Sequence, residues 1–171
     1  MKSTLLALTF CAAALLAPRA EAQFSLLPYI GYNTEDPTGG FLVGIGAEFA
    51  APFSAGSLAL AIRPSAEYVF TDTEGIDFFQ VNGDVIARFS GSPSLAPYAG
   101  AGLGVAIVSF DDDVDGGDDS NTELGLNLLG GVEFPGTLGF GTPFVQLRYS
   151  MIDPYEAFSV LGGFSIPLGQ R

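Results

Sequence analysis

The sequence contains no histidine and no tryptophan, and its one cysteine, Cys11, lies close to the N-terminus. Without histidine there is no imidazole to ligate a metal or to move a proton near neutral pH. Without cysteine beyond residue 11 there are no disulfides and no thiol chemistry in the body of the chain. Basic residues are scarce: six Lys and Arg stand against 19 Asp and Glu, for a formal net charge of −13. A chain so acidic repels nucleic acid and draws cations, basic ligands or a basic partner. Long apolar runs are missing too. The longest, LLALTFCAAALLA at 5–17, is shorter than the ~20 residues a membrane-spanning helix needs.

That run nevertheless has a use. Lys2 supplies a positive start, 5–17 an apolar middle, and AEA at 20–22 a small-residue cleavage site. Together they read as a secretory signal peptide over 1–22, leaving a mature domain over 23–171. Cys11 follows Phe10 and comes too early to be a lipidation site at the cleavage point. The mature chain keeps Arg63, Arg88, Arg148 and Arg171 against 18 acids, a net charge of −14.

What the chain has in quantity is glycine and alternation. Period-2 hydrophobicity recurs in segments of about ten residues, as in membrane barrel strands. Eight such segments are expected, at 24–33, 41–51, 57–70, 77–90, 96–110, 122–134, 142–152 and 157–168, separated by clusters of Gly, Pro, Ser or Asp. One parity of each is apolar: Phe41, Val43, Ile45, Ala47 and Phe49 in the second, and Pro143, Val145, Leu147, Tyr149 and Met151 in the seventh. The other parity holds Gly, Ser, Asn, Gln and charges.

A soluble barrel turns its apolar parity inward, whereas a membrane barrel turns it toward lipid. Only 15% of residues are charged, and most of those lie between strands, which is low for a solvated face. Aromatics of the apolar parity fall in two bands. Phe41, Tyr68, Phe70, Phe79, Tyr149 and Phe158 lie near one set of strand ends; Phe24, Phe49, Phe89 and Phe134 lie near the other. Two bands are the expected interfacial girdles. The fold expected is all-β: an eight-stranded antiparallel up-and-down transmembrane β-barrel.

Alternate connections share one end of such a barrel. Those at 34–40, 71–76, 111–121 and 153–156 are acidic and lack Lys and Arg, while those near 52–56, 91–95 and 135–141 carry no charge. With the N-terminus in the periplasm, the acidic set faces outside, and longer external loops with shorter periplasmic turns are expected.

Arg148, in FVQLRYS at 144–150, has no acid within four residues. It falls on the inward parity, as do Arg63, Arg88, Glu48, Glu67, Asp84 and Glu133. Toward lipid near the midplane an arginine would cost roughly 2–4 kcal/mol. These seven residues are expected to form a paired lumen network. By depth, Arg63 and Asp84 fall at mid-height, Glu67 and Arg148 nearer the acidic rim, and Glu48, Arg88 and Glu133 nearer the neutral rim. Inward glycines (Gly44, Gly46, Gly100, Gly102, Gly104, Gly131 and Gly163) would leave room for the long side chains. An eight-stranded barrel is just wide enough to be filled by side chains, so a plugged lumen is expected.

PYAGAGLG at 97–104, GGVEFPG at 130–136, PFVQLRYS at 143–150 and LGGFSIPLG at 161–169 occur in an order and spacing that resemble the small OmpA-like and OmpX-like outer-membrane β-barrel family. The resemblance implies residence in the outer membrane of a Gram-negative-type bacterium. It also implies contact with the lipid bilayer and lipopolysaccharide, and insertion by the barrel assembly machinery. Such barrels usually end in an aromatic residue, where this chain has Gly169-Gln170-Arg171.

One loop carries a metal-like spacing. Asp111, Asp113, Asp115 and Gly116 match the start of an EF-hand loop and Asp119 its ninth position, but the twelfth is Thr122, with Glu123 one residue late. Two readings stand: a solvated acidic loop tip, or a weak calcium or magnesium site that could share divalent cations with lipopolysaccharide phosphates. No phosphate loop or dinucleotide fingerprint occurs, since GAGLG at 100–104 lies within a strand, and no cofactor is expected. No enzyme is expected either, because membrane-barrel hydrolases pair a serine or aspartate with histidine. The function expected is structural or surface-interacting. The alternatives are a narrow porin-like channel or small-solute binding barrel, and a secreted soluble β-barrel that binds an apolar ligand.

Overall fold

The computed structural model describes residues 24–34, 39–55, 58–73, 76–89, 92–110 and 119–168. The expected signal peptide, the tip of the aspartate-rich loop and Gly169-Gln170-Arg171 lie outside them. The strands are β1 (Phe24–Asn33), β2 (Gly40–Ala55), β3 (Leu58–Thr71), β4 (Ile76–Arg88), β5 (Ala96–Phe110), β6 (Asp119–Glu133), β7 (Thr142–Met151) and β8 (Ala157–Leu168). Each pairs antiparallel with the next, and β1 closes on β8 from Phe24↔Leu168 to Asn33↔Ser159. Closure leaves no sheet edge unpaired, the condition for a sheet to cross a bilayer. No helix among the described residues is long and apolar enough to cross a membrane.

The alternation in the sequence becomes the two faces of the wall. On β4, Phe78, Gln80, Asn82, Asp84 and Ile86 are buried, while Phe79, Val81, Gly83 and Val85 are exposed. On β7, Phe144, Gln146, Arg148 and Ser150 point in, and Val145, Leu147 and Tyr149 point out. The exposed apolar set (Ile45, Ile62, Val85, Leu103, Leu126, Leu128 and others) circles the molecule. A patch of this extent is an interaction surface, and a continuous belt fits lipid. A soluble barrel with an apolar interior would need the reverse, with Arg148 reaching solvent.

Aromatic pairs mark both ends of the belt. Phe41 and Phe70, register partners on β2 and β3, stack at 6.2 Å, and Tyr68 meets Phe70 edge-on at 4.9 Å. At the opposite end Phe24 and Phe49, also register partners, lie 5.2 Å apart, and Phe140 lies 5.6 Å from Phe164. Three outer-rim tyrosines turn their hydroxyls to carboxylates. Tyr32 donates to Asp72 at 2.7 Å, Tyr149 to Glu156 at 2.7 Å, and Tyr68 to Asp77. Each ring sits in the apolar belt while its hydroxyl reaches the wet rim.

Two features depart from the expected layout. β2 continues past a register shift between Ala50 and Ser54 to pair Ala55 with Leu58, so residues 52–55 are strand rather than turn. The other two neutral connections are not short: β4 ends at Arg88 before β5 begins at Ala96, and β6 ends at Glu133 before β7 begins at Thr142. They are compacted instead by small bridges, Ser92↔Leu95 and Leu138↔Gly141. In the second, Thr137 Oγ1 donates to the Phe134 carbonyl at 2.8 Å, and Gly136 has a φ of 74°, a conformation that disfavours any residue with a Cβ.

Candidate functional site: the charged lumen

The inward parity brings six of the seven charged residues into two groups. Nearer the neutral rim lie Glu48 of β2, Arg63 of β3, Arg88 of β4 and Glu133 of β6. Arg63 donates through Nε and Nη2 to Glu48 Oε2 at 3.1 and 2.7 Å, and through Nη1 to Gln146 Oε1 at 2.9 Å. Arg88 grips Glu133 with a two-bond fork, Nε to Oε2 at 3.1 Å and Nη2 to Oε1 at 2.7 Å. It also reaches Glu48 Oε1 at 2.6 Å. Tyr98 donates to the same Gln146 oxygen at 3.0 Å. The Arg63 guanidinium lies 5.0 Å from the Tyr98 ring centre and 5.9 Å from that of Phe144. Two arginines and two glutamates balance in charge. Charge-assisted forks and ring faces offset the several kcal/mol per ion that burial costs.

Higher in the lumen, Arg148 of β7 pairs with Glu67 of β3, whose other oxygen accepts from Tyr29 at 2.9 Å. Arg148 is 2% exposed and Glu67 1%, which makes this the driest pair in the described structure. Asp84 belongs to neither group. It stands opposite Arg63 in the β3–β4 register, yet Arg63 turns away to Glu48. Asp84 makes no ion pair among the described residues and accepts a long bond, 3.4 Å, from Asn127. Asn127 also donates to Asn82 at 2.8 Å, and Gln80 donates to the same oxygen at 2.6 Å. This amide chain continues from Gln80 to Ser150 at 3.4 Å.

Above the charges the inward parity turns apolar. Leu42, Val69, Phe78, Val108, Ile152 and Tyr155 cluster beneath the acidic rim, with Phe78 edge-on to Tyr155 at 6.3 Å. Ile152 and Tyr155 come from the β7–β8 connection, which folds into the mouth. Polar parity alone does not announce this cap; a run such as Leu42-Gly44-Gly46-Glu48 hides one apolar residue at its outer end.

Most of the inward glycines make room for other groups than the arginines. The Tyr29 ring lies over its register partner Gly44, and the Tyr98 ring over its partner Gly131. A Cβ at either glycine would fall 2.2 or 2.5 Å from ring atoms. A Cβ at Gly102 would meet the Gly83 carbonyl and the Asp84 carboxylate, and one at Gly104 the amide chain. Tyr29, Tyr98 and Gln146 thus join the site without having been singled out from sequence. The signal for both tyrosines is an inward aromatic opposite an inward glycine on the next strand.

The aspartate-rich loop contributes little that is described. Asp111, Asp113 and Asp115 lie outside the described residues, as does the side chain of Asp119. Asp119, Thr122 and Glu123 fall within β6, in register with Phe110, Ile107 and Ala106, so the EF-hand-like spacing runs into a paired strand. Among the described residues no group of three or more acids, histidines or cysteines is placed to hold a metal ion.

A closed eight-stranded barrel with an apolar belt, two aromatic girdles and a charged lumen defines a transmembrane barrel of the outer-membrane class. The chain belongs to the outer membrane protein beta-barrel domain family, which it matches over residues 3–150. No curated protein sequence matches it. Among solved structures it is similar to the N-terminal β-barrel domain of Pseudomonas aeruginosa OprF, with a TM-score of 0.64 and 13% identity over 86% of this chain and 99% of that one. It is also similar to Ail, the attachment invasion locus protein of Yersinia pestis, with a TM-score of 0.61 and 16% identity over 87% and 100%. The outer membrane enzyme PagL matches with a TM-score of 0.52 and 17% identity over 84% and 99%. At these identities the likeness is one of fold. The protein is therefore a transmembrane β-barrel of a Gram-negative-type outer membrane, in contact with membrane lipid.

Proposed function

We propose that this protein is a closed structural barrel that presents acidic loops at the cell surface, its lumen filled by the network of Arg63, Arg88, Arg148, Glu48, Glu67, Asp84 and Glu133. The observation that carries this reading is the burial of Arg148 against Glu67 beneath the apolar cap of Leu42, Phe78, Ile152 and Tyr155. A solute would have to break a dry ion pair and displace the cap to pass. A non-enzymatic role follows from the same residues. There is no histidine, and of the lumen acids only Asp84 lacks an arginine partner among the described residues. Residues 1–22 act as a cleaved signal peptide, the barrel assembly machinery inserts 23–171, and divalent cations bridge the acidic loops to lipopolysaccharide phosphates.

Planar-bilayer conductance tests the closed lumen. Wild-type protein is expected to give no single-channel steps. Arg148→Ala, which removes the plug's largest buried side chain, is expected to give more current than wild type. Clear steps from the wild type would reverse the reading in favour of a narrow channel. Mass measurement of the purified protein tests the start of the mature chain at Gln23.

A further inference from the structure

The two charged groups of the lumen are not joined by any hydrogen bond among the described residues. The upper group is Tyr29, Glu67 and Arg148; the lower is Arg63, Glu48, Arg88, Glu133, Gln146 and Tyr98. Between them lies a small cavity. Its polar walls come from both groups: Tyr29 and Arg148 from the upper, Arg63 and Gln146 from the lower, with Ser65 and Asp84 between. It has room for about one water-sized molecule.

Two buried groups at this cavity are under-satisfied. Among the described residues Arg148 Nε–H has no acceptor, although its side chain is 2% exposed. Asp84, 3% exposed, accepts one long bond among the described residues although a carboxylate can accept about four. A buried donor without a partner is costly, and native interiors rarely leave one. The walls also select the occupant. An apolar molecule would leave both groups unmet. An anion would face the Asp84 carboxylate, and a metal cation would face two guanidinium groups.

We infer that this cavity is a binding site for a single water molecule that accepts from Arg148 Nε and donates to Asp84. With Ser65 and Gln146 in the same wall, the water has the two to four polar partners that a buried water needs. It links the upper charged group, through Asp84, to the amide chain of Asn127, Asn82 and Gln80. It also gives Arg148 a second acidic neighbour one molecule away. The upper charged group and the amide chain then form one hydrogen-bonded unit beside the lower group.

The test uses the full mature barrel with native residues. In a crystal structure resolving ordered water, a water peak is expected within hydrogen-bond distance of both Arg148 Nε and Asp84. In lipid nanodiscs with 15N-labelled arginine, the Arg148 Nε–H should show a direct cross-peak to a long-lived water. Direct contact between Arg148 Nε and Asp84 would overturn the inference, as would an anomalous signal at the site after replacing chloride with bromide, which would mark an anion. Absence of the water cross-peak would overturn it too. Asp84→Leu removes the acceptor and fills the space, so it should abolish the cross-peak while keeping the gel mobility shift of a folded barrel. Thr137→Ala, in the exposed β6–β7 connection at the far end of the barrel, should keep it. A persisting cross-peak in folded Asp84→Leu would count against the site, and if that variant does not fold the wild-type measurements decide.

Discussion

A buried arginine is stable only while its charge is answered, and among the described residues Arg148 has one acid within ion-pair reach, Glu67. Removing one partner of a buried pair leaves the other uncompensated, at about 3–5 kcal/mol, whereas replacing both by neutral groups of similar size is often tolerated. Arg148→Ala is therefore expected to lower barrel stability by about 3–5 kcal/mol, on that precedent. Arg148→Met combined with Glu67→Gln should recover most of the loss, because glutamine still offers Tyr29 an acceptor. Arg88→Ala should cost less than Arg148→Ala, since Arg88 is more exposed and Glu48 keeps Arg63. Urea titration of the folded fraction, read from the mobility of unboiled samples on SDS gels, would rank the variants. Equal losses for Arg148→Ala and the double variant would show that the charge pair is not what matters there.

At the scale of the strand, much could be read before any coordinates. Alternation located all eight strands, most of their ends within a few residues, and the same parity put Arg63, Arg88 and Arg148 on one face. It could not choose partners. Arg63 and Asp84 face each other across β3 and β4, yet a long guanidinium in a narrow lumen reaches other strands, and here it bonds Glu48 of β2 and Gln146 of β7. The cap was not legible either. Parity separates lipid from lumen but says nothing about how polar each height of the lumen is; Ile152 stands at the end of the expected seventh segment, and Tyr155 enters from a connection outside the alternation. Cross-strand packing shows where a strand glycine matters. A Cβ at Gly131 would meet the Tyr98 ring and the Val145 carbonyl at 2.5 Å, while one at outward Gly83 would meet nothing within 4 Å. Gly131→Val is expected to destabilise by about 1–3 kcal/mol, as overpacking typically does. Gly83→Ala should be neutral or stabilise by about 0.4–1 kcal/mol through the unfolded chain. The same gel-based titration reads both, and a harmless Gly131→Val would refute the seating of Tyr98 on that glycine.

For the whole molecule, the distribution of charge matters more than its sum. The arginines of the described strands, Arg63, Arg88 and Arg148, all point into the lumen, and the connections at the acidic rim contain no Lys or Arg. Asp72, Asp77, Asp153 and Glu156 stand exposed at that end. This rim, which the proposed function turns to the medium, thus carries acids and no basic residue in its connections. A polysulfate needs cationic side chains, and the described strands enclose theirs. Nanodiscs carrying the protein are expected to retain a polylysine peptide at low salt and to release it progressively as salt rises. The screening length falls from ~30 Å at 0.01 M to ~3 Å at 1 M. Sucrose octasulfate should not be retained at any salt, and empty nanodiscs of the same uncharged lipid should retain neither probe. Retention of the polysulfate would place accessible positive charge on the outer face and overturn the enclosure of the arginines. Polylysine binding unaffected by salt would show that the loops recognise it by something other than charge.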